Sequence, residues 1–346
     1  MRIGRSLAVL VLVAAAACGG PTTVTSSAGP GAATATDATA GDAGTRLVIA
    51  TTVAPITSIT AAIVGDRADV RGIVPEGTSS HTFEPPPSTA ELLSDADIVF
   101  LNGLQLEEPT QELAEQNRKE GAQLVELGPQ TIPQDRWVYD VSFPADQGRP
   151  NPHLWTDPLL ARRYAEIVRD TVVARDPADA GAYRANFDRY AAQLAALDQA
   201  MRTSFATIPA DQRKLLTYHD AYAYFAQDYG WQVVGAIQVA DFDDPSPKEV
   251  AALVDQVREQ QVRAIFGSEV FPSPVLEQIG RETGVRYVDE LRDDDLPEAP
   301  GHAAHTLVGL LRVDYVTMTE ALGGDASALR GLDVAPTAPD RAEYPQ

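Results

Sequence analysis

"KLLTYHDAYAYFAQDYGWQVVGAI", residues 214–237, holds the fold in miniature. Leu215 and Leu216 open a short apolar run, an aromatic-rich stretch of helical spacing follows, and "WQVVGAI" forms a second apolar run. Strand, helix and strand in so short a span read as a βαβ unit, whose strands lie parallel. His219 stands at the seam between the first strand and the helix. A histidine there is a helix-start side chain, a filler or a ligand, and the chain has only five histidines to compare.

The same rhythm runs on both sides. Downstream come "SPKEVAALVDQVREQ" as helix, "VRAIFG" as strand, "SPVLEQIGRETG" as helix, "VRYVDE" as a last strand and "HTLVGLLRVDYVTMTEAL" as a final helix. Upstream, "RLVIATT", "ADVRGIV", "DIVFLNG" and "AQLVEL" are strands separated by "APITSITAAIVG", "PSTAELLSDA" and a helical stretch around Glu107 to Glu120. The expected fold class is α/β, with two lobes that each hold a four-stranded parallel sheet: residues 46–175 and 207–330. Between them, Tyr183, Phe187, Tyr190, Leu194, Leu197, Met201 and Phe205 recur at spacings of three and four. That stripe predicts a linking helix over 176–206, capped by Asp176 with Pro177 in its first turn and about 45 Å long at 1.5 Å per residue. Residues 331–346 read as a flexible tail.

The first 18 residues stand apart. Arg2 and Arg5 precede an apolar run from Leu7 to Ala17 that is too short to span a bilayer and reads as a signal peptide. It ends at Cys18, the single cysteine of the chain, in a setting that resembles a lipobox. Lipidation of Cys18 is expected, and no intramolecular disulfide is possible. Residues 19–45 are Ala, Thr, Gly, Ser and Pro with little apolar bulk, the composition of a flexible tether. An anchored, tethered body belongs on the outer face of the cytoplasmic membrane, in the periplasm if the cell has one. The chain is 346 residues long, 44 % apolar and carries a net charge of −22, which supplies a core and argues against nucleic-acid binding.

His81 follows the second strand of the first lobe, His153 lies beyond that lobe's last strand, and His219 follows the first strand of the second lobe. In open parallel sheets ligands bind outside the carboxyl ends of the strands. Each histidine taken singly has a plain packing explanation; together they converge on one crevice. Asp289, at the end of the last strand, completes a set of three nitrogens and one carboxylate that suits tetrahedral Zn²⁺. Glu84 and Asp157 are candidates for the acceptors that orient the rings.

"SSHTFEPPPSTAELLSDADIVFLNGLQLE", "NPHLWTDP", "YHDAYAYFAQDYGWQVVGAIQ" and "IFGSEVFPSPVLEQIGRETGVRYVDEL" resemble, in order and over residues 46–325, the zinc and manganese solute-binding lipoproteins of bacterial ABC importers. The resemblance implies two α/β lobes joined by a rigid helix, with a metal held between them by His81, His153, His219 and Asp289. It implies a monomer that delivers its ion to a membrane permease driven by an ATPase, and no enzyme activity. Manganese members typically have glutamate at the third place, so His219 points to zinc as cargo, with manganese or iron as the alternative. The His-rich loop of many zinc members is missing, since residues 107–151 contain no histidine. His302 and His305, three apart and placed on one helix face, are a candidate auxiliary metal patch. Two readings from other classes are a three-histidine zinc hydrolase, which lacks any HExxH or recognised general-base motif, and a structural lipoprotein or adhesin with a vestigial site. Because neutral imidazoles are required, metal affinity is expected to fall below about pH 6.

Overall fold

The computed structural model describes residues 46–140, 142–238, 245–268 and 274–346, with the side chains of 289 and 290 excepted. The proposed signal peptide, Cys18 and the tether lie outside the described residues.

In chain order the elements are β1 (Leu47–Thr51), α1 (Ala54–Val64), β2 (Ala68–Gly72), α2 (Ser88–Asp95), β3 (Ile98–Leu101), α3 (Glu108–Asn117), β4 (Gln123–Glu126), α4 (Leu127–Thr131) and α5 (Pro158–Arg175). After them come α6 (Ala180–Phe205), β5 (Lys214–Thr217), α7 (Ala223–Tyr229), β6 (Gln232–Ala236) and α8 (Pro247–Glu259). The chain closes with β7 (Ala264–Ser268), α9 (Pro274–Thr283), β8 (Arg286–Leu291), α10 (Leu307–Ala321) and α11 (Ser327–Arg330). The described strands form two parallel sheets of four, ordered β2-β1-β3-β4 and β6-β5-β7-β8. Both sheets change winding direction beside their first strand, which opens a crevice at the carboxyl ends. Ile98 to Leu101 are all fully buried. An uninterrupted apolar run is what a parallel strand covered on both faces requires.

The linking helix is α6. Tyr183, Leu197 and Met201 are fully buried and Phe187, Tyr190, Leu194 and Phe205 nearly so, which is the stripe read from the sequence. At 1.5 Å per residue its 26 residues span about 39 Å. It packs on α1 and α5 of the first lobe and on α10 and α11 of the second. The helix begins at Ala180 rather than Asp176. Asp176 instead closes α5, and its carboxylate accepts from Tyr183 Oη at 2.7 Å.

The expectation of a flexible tail is overturned. Residues 331–346 run along α6, where Gln193 donates to the carbonyls of Asp333 and Ala335 at 3.0 Å each. They then bridge the edge of the first sheet, with Arg71 paired to Glu343, and bury Tyr344. The free edge of β2 explains the capture, because its unpaired backbone groups bond to the tail: Gly72 N to Glu343 O at 2.8 Å and Glu343 N to Val70 O at 2.9 Å.

Candidate metal centre

Three loops at the carboxyl ends build the site. The segment after β2 carries His81, the long connection between α4 and α5 carries His153, and the turn between β5 and α7 carries His219. The Nε2 atoms of all three rings lie 3.1 Å from one another. The centre of such a triangle is about 1.8 Å from each corner, so an ion at the ~2.0–2.1 Å of a Zn–N bond sits about 1 Å out of the plane, close to a tetrahedral cap. His153 and His219 are buried and His81 is partly buried. Phe143 packs its ring 5.7 Å from His81 and 5.8 Å from His153, an apolar cover over the triad.

Burial holds all three imidazoles neutral. It pushes His81 and His153 well below the ordinary value, with the neighbouring rings adding to the effect. Burial takes His219 down to about 4 despite a hydrogen bond to Gln238 that works the other way. Neutral nitrogen is the form that binds a metal. His153 Nδ1 lies 2.9 Å from Asn151 Oδ1 and His219 Nδ1 lies 3.2 Å from Gln238 Oε1, so neutral amides orient these rings.

Asp289 lies on β8 but its side chain is outside the described residues. The described structure brings in the loop that follows: Asp293 Oδ2 is 3.7 Å from His219 Nε2, and the buried carboxylate of Asp294 accepts from Ser80 Oγ. Burial, then Asp295, pushes Asp293 up to about 7. Burial, then Asp293, pushes Asp294 well above the carboxylate range. The loop is pinned by the Trp155 indole, which donates to Asp293 O at 2.7 Å, and by Asp314, which accepts from Arg292 N at 3.0 Å. Three successive carboxylates directly after a strand end were the available sequence signal.

Glu84 is exposed, and Asp157 serves α5 as its N-cap, accepting from Leu159 N at 2.7 Å. Burial, together with the neighbouring Asp228, pushes Asp157 up to about 8. At His153 the orienting place is taken by Asn151, and Asp157 serves the helix instead. His302 and His305 do not share a helix face, since both precede α10. His302 is exposed, whereas His305 is buried, with Nδ1 3.2 Å from Glu298 O and its ring against Tyr344.

Residues 49–321 match the family described as zinc-uptake complex component A, periplasmic (ZnuA). The chain belongs to the ZnuA family. Among its relatives, the manganese-binding lipoprotein MntA of Halalkalibacterium halodurans is 30 % identical over 314 residues, covering 91 % of this chain and 96 % of the relative. The iron-binding protein YfeA of Yersinia pestis is 29 % identical over 282 residues, 82 % of this chain and 88 % of that one. The fold is similar to that of the periplasmic zinc binding protein TroA from Treponema pallidum, with a TM-score of 0.72 at 24 % identity over 80 % of this chain and 99 % of TroA. It is also similar to a Mn-bound periplasmic metal binding protein from Candidatus Liberibacter asiaticus, with a TM-score of 0.71 at 25 % identity over 80 % of this chain and 100 % of that one. As a ZnuA-family protein the chain is a metal-binding, substrate-binding component of an ABC importer, which works with a permease and an ATPase. Such proteins are solute receptors and not enzymes, so the hydrolase reading falls. Among the described residues no helix is long and apolar enough to cross a membrane.

Proposed function

We propose that this protein is the zinc receptor of its importer. His81, His153 and His219 bind Zn²⁺ through Nε2, and a carboxylate from the Asp293–Asp294 pair closes the coordination shell in the place first expected of Asp289. The observation that carries the reading is the convergence of three neutral imidazole nitrogens at 3.1 Å in a buried crevice. Three nitrogens and one oxygen favour Zn²⁺ over the harder Mn²⁺. Two lobes contribute ligands, so binding ties them together and changes the surface offered to the permease. Lipidation at Cys18 would keep the monomeric receptor on the outer face of the membrane.

The names of MntA and YfeA, with the Asp293 carboxylate 3.7 Å from His219 Nε2, favour a second reading in which Mn²⁺ or Fe²⁺ is the cargo. Competition separates the two. Metal-free protein is titrated with Zn²⁺ and Mn²⁺ against a chelator of known affinity for each. Zinc binding tighter by at least about 100-fold supports the zinc receptor, a wide margin being required because N/O sites in general hold Zn²⁺ more tightly than Mn²⁺. Equal or tighter Mn²⁺ binding refutes it.

A further inference from the structure

The Asn151 side chain has three partners, two of them backbone groups whose donor or acceptor character is fixed. Its Oδ1 lies 3.1 Å from the backbone N–H of His153, which can only donate. Its Nδ2 lies 2.9 Å from Asp140 Oδ2 and 2.8 Å from the backbone carbonyl of Asp220, which both accept. The amide orientation is therefore determined, and the atom facing His153 Nδ1 at 2.9 Å is an oxygen. His153 must carry its proton on Nδ1, which leaves the Nε2 lone pair bare and aimed at the other two rings.

Asp140 stands behind this arrangement. Its Oδ1 accepts from Ser142 N at 3.1 Å and Phe143 N at 2.9 Å, so that oxygen is committed to its own turn. Oδ2 is left for Asn151 and for the neighbouring Asp220 carboxyl, and towards the Asn151 NH₂ it is an acceptor. The same turn places Phe143 over the triad.

We propose that Asp140 is a positioning residue for metal capture: by accepting from Asn151 it locks the amide, and through it the His153 tautomer that presents a bare Nε2 to the ion. The inference rests on the reading of His153 as a ligand. It goes beyond that reading in assigning the tautomer to a carboxylate that never touches the metal.

The hydrogen-bond logic gives a reciprocal test. In Asp140→Asn the new amide keeps its oxygen on Ser142 N and Phe143 N and turns an NH₂ against the NH₂ of Asn151. In Asn151→Asp two carboxylates face each other. The pair D140N/N151D restores one donor facing one acceptor and keeps an oxygen on His153 Nδ1, at the expense of the bond to Asp220 O. Zinc affinity is measured on the full chain by chelator competition. The His153 tautomer is read in the metal-free protein from its imidazole ¹⁵N shifts.

Each single variant is expected to bind zinc about 10- to 100-fold more weakly, the usual effect of losing an outer-shell partner. The double variant is expected to bind at least about tenfold tighter than either single one and to keep His153 protonated on Nδ1. Unchanged affinity and tautomer in Asp140→Asn overturn the proposal, as does a double variant no better than the singles. Should a single variant fail to fold, the double variant decides: affinity within about tenfold of wild type supports the relay, and a larger loss overturns it. His153→Ala separates the two layers. If it leaves zinc binding intact the ligand reading fails, while the ¹⁵N tautomer of metal-free Asp140→Asn still tests the relay.

Discussion

The pH dependence of metal binding distinguishes histidines held neutral from histidines that titrate normally. A ring at the ordinary value of 6.5 would be protonated about 30-fold in excess at pH 5, so three such rings would weaken binding by roughly 3 × 10⁴ between pH 7.5 and 5. Burial instead keeps the rings neutral, His219 down to about 4, and they lose almost nothing over that range. Asp293 moves the other way: pushed up to about 7, it holds a proton below that pH, and an incoming cation must displace it. Binding then releases one proton, and affinity falls about tenfold per pH unit below 7, or about 80-fold in all between pH 7.5 and 5. The plot of log Kd against pH should have a slope near one through that window, and Asp293→Asn should flatten it. The assay is chelator competition in buffers of constant ionic strength. A slope near three that begins at about pH 6.5 would refute the claim that burial holds the imidazoles neutral.

Alanine at Asp293 should weaken zinc binding more than alanine at Asp289, measured in the same titration; the reverse order would return the carboxylate role to Asp289. Leu197→Ala, in the middle of the linking helix and fully buried, should cost about 2–5 kcal/mol in urea unfolding. A cost below about 1 kcal/mol would mean the stripe is not packed as described. Removal of residues 333–346 uncovers the edge of β2 and the Tyr344 site, and should lower the melting temperature measurably; an unchanged melting curve would restore the flexible-tail reading.

Alternation of apolar runs and helical spacing made both sheets and the linking helix legible, because parallel strands buried on two faces admit almost no polar residue. The stripe from Tyr183 to Phe205 was readable for the same reason, since one face of a helix that crosses the core must be apolar throughout. Other features were legible only in part. Asp157-Pro158 is an N-cap followed by a first-turn proline, the local signal for the start of α5, but its nearness to His153 in sequence gives Asp157 a second reading that competes with it. The tail has little apolar bulk, and its order comes from backbone bonds to a sheet edge that local sequence does not display. At the site, the three histidines were findable because each stands at or beyond a strand end. Asn151 and Asp140 were not, since an amide two residues before a histidine and an acid eleven residues before that amide meet only through the path of a loop.

The most direct test of the central claim is anomalous diffraction at the zinc absorption edge from crystals of the zinc-loaded protein. The account predicts one strong peak about 2.0–2.1 Å from Nε2 of His81, His153 and His219. A peak elsewhere, or one that leaves any of these three nitrogens uncoordinated, would contradict it.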